Sequence, residues 1–240
     1  MSSLYDSILL KTDKVDSKIA LVFICTGLGY CQTFLQSAID RAKKFFPSDI
    51  LLFTDSQIQY DVERQVYLKH QGWPNVTLYR YHTMLMEQNW LYQYDYIFHF
   101  DVDMKLVQTI TDEILSDGIT VTMHPDFVNG GGATDTNPNS TAFLPENQIR
   151  QYVTGAFQGG ESKSFLKMAE TIAINIDKDR SNGVIARVYD ESHLNRYVYD
   201  NPPSKILDVH YCSKYHKNSD LDFIQCMDEC DGIKEKFRHQ

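Results

Sequence analysis

The chain has 240 residues, 42% hydrophobic and 23% charged, enough for one α/β core of ordinary composition. Its formal net charge of −9 leaves no basic face to neutralise phosphates, so nucleic acid is not an expected partner. An acidic protein still binds a nucleoside diphosphate when a divalent cation mediates the contact.

No apolar run approaches the ~18 residues of a membrane span. The opening residues M-S-S-L-Y-D-S lack the basic-then-apolar order of an export signal. A soluble, cytoplasmic protein is therefore expected. Cys25, Cys31, Cys212, Cys226 and Cys230 are odd in number and irregular in spacing, which predicts free thiols. Cys226 and Cys230 are spaced to share one helix face rather than to form a zinc ribbon.

Residues 18–25, K-I-A-L-V-F-I-C, form a continuous apolar run, the pattern of a strand buried on both faces of a parallel sheet. After Thr26-Gly27-Leu28-Gly29, residues 32–46 place Phe34, Leu35, Ala38, Ala42, Phe45 and Phe46 at helical spacing. D-I-L-L-F-T at 49–54 reads as a second buried strand, so the chain opens as a βαβ unit. A looser strand is expected within 61–70, a turn at Gly72-Trp73-Pro74-Asn75, and a long helix over 76–92. Strands follow at 96–100 and 118–123, then a Gly/Asn/Thr-rich loop at 126–140. Gly155, Gly159 and Gly160 punctuate the stretch before a helix at 161–176. Another helix begins at Asp190, and a strand is expected near 205–210. There is no linker or repeat, so residues 1–240 read as a single domain, with a core of about 18–212 and a C-terminal tail over 213–240.

Three groups of residues carry candidate chemistry. Asp101 and Asp103 follow the strand Y-I-F-H-F; in extended chain, residues i and i+2 point the same way, so the two carboxylates converge past the strand's carboxyl end. Ligands bind there in open α/β sheets, and paired carboxylates suit Mn2+ or Mg2+ with phosphate oxygens completing the shell. The same acids also fit a strand-ending turn. D-x-D recurs at 177–179 and 220–222, but in polar segments. Asp190 and Glu191 open a helix, where they serve either as acids favoured by the helix dipole or as carboxylates facing a sugar. Gly155-Ala156 offers close approach to backbone, or only tight packing. His124 follows a strand and precedes Pro125, and is either structural or a ligand contact.

Taken together these segments resemble the family 6 glycosyltransferases, the retaining enzymes that include the blood group A and B transferases, α-1,3-galactosyltransferase and bacterial relatives. The likeness runs through F-I-C-T-G, F-T-D at 53–55, G-W-P-N-V-T-L-Y-R-Y-H at 72–82 and F-D-V-D-M at 100–104. It continues through T-M-H-P at 122–125, A-F-L-P at 142–145, G-A-F-Q-G-G at 155–160 and D-E-S-H-L-N at 190–195. It implies a GT-A fold, a UDP-Gal or UDP-GalNAc donor, a glycan acceptor and retaining transfer into an α-1,3 linkage. By the same resemblance, Phe23, Cys25 and Tyr30 fall around the nucleoside, and Arg80 lies on the donor side. Asp101 and Asp103 bind Mn2+ and the diphosphate. His124 belongs to the sugar region, and Thr154, Gly155 and Ala156 to the segment that selects the sugar. Asp190 contacts the donor sugar, and Glu191 is the nucleophile or oxocarbenium stabiliser. Ala156 favours UDP-Gal slightly. Val188 and Tyr189 stand where many relatives carry Trp-His, so the acceptor's aromatic wall is expected to be missing or moved. Lys234, Lys236 or Arg238 is expected to close over the diphosphate. The animal enzymes' membrane anchor is not seen, which suggests a bacterial or viral source. The rival readings are a UDP-sugar hydrolase or nucleotidyltransferase, and a non-catalytic glycan- or nucleotide-binding protein.

Overall fold

The computed structural model describes residues 17–149, 151–214 and 220–226. Seven strands form one sheet: β1 (Ile19–Cys25), β2 (Asp49–Thr54), β3 (Arg64–Tyr67), β4 (Tyr96–Phe100), β6 (Ile119–Met123), β7 (Val153–Glu161) and β8 (Lys205–Leu207). Their order is β3-β2-β1-β4-β7-β6-β8, and a separate pair joins β5 (Met104–Leu106) to β9 (Ile224–Cys226). Neighbours β3, β2, β1 and β4 are all parallel, as are β6 and β8, whereas β7 runs antiparallel to both β4 and β6. The carboxyl ends of β1, β2, β4 and β6 and the start of β7 therefore share one edge. This is the α/β, mostly parallel sheet expected from the buried apolar runs.

The pleat sorts each strand onto two faces. Leu21, Phe23 and Cys25 of β1 pack with Ile50, Leu52, Phe98 and Phe100 in one apolar layer. That layer is closed by Phe34, Leu35 and Ala38, from a helical run comprising α1 (Leu28–Tyr30), a π-helical turn (Cys31–Leu35) and α2 (Gln36–Phe45). Ala20 and Val22 join Leu51, Phe53 and Ile97 on the other face. This face is covered by α4 (Arg80–Leu85), α6 (Ser162–Ser181) and α7 (Tyr189–Asp200). α6 presents Phe165, Met168, Ala169, Ile172 and Ile176 at helical spacing.

Several expectations need correction. The long helix over 76–92 is three short pieces, α3 (Asn75–Leu78), α4 and α5 (Gln88–Leu91), because Tyr79 and Glu87 leave helical geometry. The segment abounds in β-branched and aromatic residues, which hold a helix weakly without packing. The glycine-punctuated stretch before α6 is the nine-residue strand β7. Gly159 serves packing rather than a ligand: a Cβ there would stand 2.3 Å from the Phe98 ring and 2.4 Å from the Ile97 carbonyl oxygen. Cys226 ends a strand, not a helix face, and Cys230 lies outside the described residues.

The other two D-x-D pairs have structural partners. Asp179, in α6, accepts hydrogen bonds from the Ser140 hydroxyl at 2.7 Å and the Thr141 N–H at 2.8 Å, which pins the loop before it. Asp222 is buried and lies 2.9 Å from His210 Nδ1. Among the described residues, no helix is long and apolar enough to cross a membrane.

Candidate active site

A cleft of about 740 Å³ opens at the carboxyl edge of the sheet. Tyr30, Arg80, Asp101, Asp103, His124, Thr154, Gly155, Ala156, Asp190 and Glu191 all line it. Phe23 and Cys25 do not. They point to the opposite face of β1, where Phe23 packs edge-on to Phe100 at 5.7 Å between ring centres; the cleft takes Ile24 instead. Strand parity thus sets the side chains of these two behind the cleft wall.

β7 assembles the site. It pairs Val121 with Gln158 and then Thr122 with Thr154, so Gly155, Ala156 and Phe157 bulge away from β6. The bulge leans on β4, where the Ala156 carbonyl accepts from the Asp101 N–H at 2.9 Å. Its next backbone groups turn outward. The Gly155 N–H donates to Glu191 Oε2 at 2.9 Å, and Arg80 donates to the Gly155 carbonyl. A Cβ at Gly155 would sit 3.2 Å from the Arg80 guanidinium, so a small residue keeps this contact open.

Arg80 draws the acids together. Its Nε lies 3.0 Å from Asp190 Oδ2, an ion pair outside hydrogen-bond angles, and its Nη2 lies 3.4 Å from Asp101 Oδ1. Burial works against the guanidinium's charge, but Asp101 and Asp190 outweigh it and raise its pKa. His99, buried in β4, also meets Asp101 Oδ1, at 2.9 Å, while its Nδ1 faces the Val22 carbonyl at 3.1 Å.

α7 supplies Asp190 and Glu191 from its first turn. Neither caps the helix; the Ser192 hydroxyl accepts the Val188 N–H at 2.9 Å instead. The residue before them, Tyr189, sits at φ 47°, a left-handed conformation that costs a bulky residue roughly 1–3 kcal/mol. It lines the cleft with Trp73, edge-on at 5.0 Å, so the wall at this position is a Trp73–Tyr189 pair. Asn195 fastens the helix. Its amide exchanges two hydrogen bonds of 2.9 Å with Val153 N and O, and a third reaches the Glu191 carbonyl at 2.9 Å. One side chain thus registers α7 against the start of β7.

The electrostatics follow from burial. Asp190, 1% exposed, is pushed up to about 7, with Arg80 opposing and Glu191 adding to the shift. Burial also raises Glu191, against the Gly155 N–H and the nearby Tyr152 hydroxyl, which lies outside strict hydrogen-bond geometry. Burial, then Asp103 and Asp101, hold Tyr30 well above the usual phenol range, so it stays protonated facing Asp103. His124 is lowered by burial and accepts the Asp126 N–H at Nδ1, 3.1 Å away. The neutral ring therefore carries its proton on Nε2.

Asp55, Asp101, Asp103, Asp126, Asp190 and Glu191 line the cleft against Arg80 and Lys214, six carboxylates to two fixed cations. A diphosphate entering this field needs a compensating cation. Among the described residues no cluster of three or more His, Cys, Asp or Glu side chains forms a ready metal cage. Two hard carboxylates at a strand tip instead fit a cation that takes its remaining ligands from phosphate and water. Lys234, Lys236 and Arg238 lie outside the described residues.

Asp55, His70, Trp73, His99 and Lys214 were not singled out from sequence as site residues, whereas Tyr189 was noted as standing where relatives carry Trp-His. Asp55 carried a usable signal: like Asp101, it directly follows a buried parallel strand, and it accepts the Gly27 N–H at 3.0 Å. His70, 2.9 Å from the Thr26 hydroxyl, carried none.

The model of Glycosyltransferase family 6 matches residues 4–228. Among curated relatives, Histo-blood group ABO system transferase 2 of Rattus norvegicus is 33% identical over 144 residues, 58% of this chain and 43% of the relative. O-antigen biosynthesis glycosyltransferase WbnI of Escherichia coli is 27% identical over 218 residues, 86% of this chain and 93% of the relative. Globoside alpha-1,3-N-acetylgalactosaminyltransferase 1 of Gallus gallus is 26% identical over 196 residues, 76% and 57% respectively. The chain thus spans less than half of the rat relative and nearly all of the bacterial one. The chain belongs to glycosyltransferase family 6.

Proposed function

We propose that this chain transfers galactose or N-acetylgalactosamine from the matching UDP-sugar, with retention, into an α-1,3 linkage on a galactoside-type glycan. One observation carries the reading. Asp190 and Glu191 on α7 and Asp101 and Asp103 after β4 line the same cleft, and Arg80 and the Gly155 backbone link the two groups. The names of the relatives, which include α-1,3-galactosyl- and N-acetylgalactosaminyltransferases, support the same chemistry.

In this reading the diphosphate lies over Asp101 and Asp103, with Tyr30 and Asp55 toward the nucleoside. Mn2+ or Mg2+ held by the two aspartates, when bound, neutralises the charge that builds on the departing diphosphate. The chain's own groups do the rest. Arg80 holds Asp190 toward the sugar. Glu191, steadied by the Gly155 N–H, presents its carboxylate to the anomeric carbon as positive charge develops. His124, with its proton on Nε2, donates to a sugar hydroxyl. Ala156 and Thr154 shape the wall beside the sugar's second carbon.

The test is a panel of UDP-sugars offered with mixed galactoside acceptors and read by mass spectrometry. The expected result is one hexose or N-acetylhexosamine added to the acceptor, with UDP released. Free sugar without an extended acceptor would favour a hydrolase, and no turnover with any donor would favour a binding protein.

A further inference from the structure

Cys25 and Cys31 play no part in the reaction just described, yet their sulfurs approach to 3.2 Å. Both side chains are buried, 1% and 3% exposed. Cys25 ends β1, and Cys31 opens the π-helical turn with its N–H bonded to the Gly27 carbonyl at 3.0 Å. Five residues separate them, Thr26, Gly27, Leu28, Gly29 and Tyr30, and every one lines the cleft. The same short segment is tied across the cleft floor, because Asp55 accepts the Gly27 N–H.

We infer that Cys25 and Cys31 form an oxidation site, closing to an intramolecular disulfide that reshapes the cleft wall between them. The two thiols differ in the way a reactive pair requires. The facing Cys25 thiol lowers Cys31, with the Thr54 hydroxyl adding to it against the effect of burial. Burial raises Cys25 instead. Cys31 is thus the nucleophile and Cys25 the resolving thiol. Hydrogen peroxide is the oxidant; Cys31 lies just behind the cleft wall, 3.8 Å from the cleft-lining Asp55 carboxylate.

The step balances. The Cys31 thiolate attacks the peroxide; an S–O bond forms, the O–O bond breaks and hydroxide leaves to take a proton. The Cys25 sulfur then attacks the Cys31 sulfenic acid, forming S–S as S–O breaks, and its proton departs with the hydroxyl as water. Two thiols lose two electrons, and one peroxide becomes two waters.

Closure draws sulfurs 3.2 Å apart to about 2.05 Å. A packed interior resists a shift of that size, so the cleft-lining side of the ring, Gly27 to Tyr30, gives way. Tyr30 then moves relative to Asp103. The effect on donor affinity rests on the proposed UDP-sugar reading; the disulfide itself does not.

The experiment treats the full chain with hydrogen peroxide, blocks remaining thiols by alkylation and digests with trypsin. Both cysteines fall in one peptide, residues 19–41. The expected product is that peptide unalkylated and two hydrogens lighter than the reduced form, with dithiothreitol restoring alkylation. UDP affinity, titrated in parallel, falls about tenfold on oxidation and recovers on reduction, and Cys31→Ala keeps its own affinity through the treatment. Full alkylation of both cysteines after peroxide overturns the site. An equal peroxide-dependent loss of UDP affinity in Cys31→Ala overturns its link to the cleft. A reduced protein that binds no UDP counts against the donor reading alone, since the peptide mass decides the disulfide independently.

Discussion

Replacing Arg80 with Met keeps most of its length and removes the charge that holds the cleft acids together. Arg80 is 8% exposed and contacts Asp190 Oδ2 at 3.0 Å, Asp101 Oδ1 at 3.4 Å and the Gly155 carbonyl. Breaking a buried pair from one side costs about 3–5 kcal/mol, since it strands the other charge. The cost depends on pH, with a definite sign. Burial already lifts Asp190 from 3.8 to about 7, so the folded state holds its proton more tightly than the unfolded chain. Stability from this group is therefore full below about pH 4 and declines as pH rises towards 7. Without Arg80 the carboxyl rises further, and the decline continues above pH 7. Urea unfolding at pH 5 and pH 8 is the assay. Arg80→Met should lose more stability at pH 8 than at pH 5, and adding Asp190→Asn should restore about 1–3 kcal/mol of it. Equal losses at both pH values, or strictly additive variants, would show that Arg80 does not offset the buried Asp190 charge.

Three further outcomes follow from the same geometry. Glu191→Gln keeps an oxygen for the Gly155 N–H but loses the charge, so turnover should fall at least ~100-fold with UDP affinity little changed, measured by steady-state kinetics and titration. Asn195→Ala deletes three 2.9 Å hydrogen bonds and leaves the buried Val153 backbone unpaired, which should cost about 2–4 kcal/mol in chemical denaturation. Gly159→Ala drives a methyl group into Ile97 and Phe98 and should lower the unfolding free energy by about 3 kcal/mol or prevent folding, read by urea denaturation followed by circular dichroism.

Uninterrupted apolar runs marked β1 and β2, which are buried on both faces, and β4 and β6 read as strands from their β-branched and aromatic residues. That placed Asp101 and Asp103 at the sheet's carboxyl edge. β7 escaped notice because glycine reads as a breaker, whereas Gly159 and Gly160 are there to admit Phe98 and the Gly118 carbonyl. β5 and β9, three residues each, are too short to show a period. Phe23 and Cys25 were assigned by resemblance at the level of a segment, and parity decides which residues of a strand face a ligand. The π-helical turn, the strained Tyr189 and the Cys25–Cys31 approach are tertiary effects without a local sequence signature. Asp190 and Glu191 were legible only as acids at a helix start; their pairing with Arg80 and Gly155 depends on contacts 110 and 36 residues apart.

Transfer from a UDP-sugar in this cleft requires a cation-assisted diphosphate seat at Asp101 and Asp103. Calorimetric titration of UDP into wild type and Asp103→Asn, with and without Mn2+, tests it directly. The expected result is strong binding for wild type with Mn2+, and weak binding for wild type without the metal and for the variant in either case. Equal UDP affinity in all four titrations would contradict it.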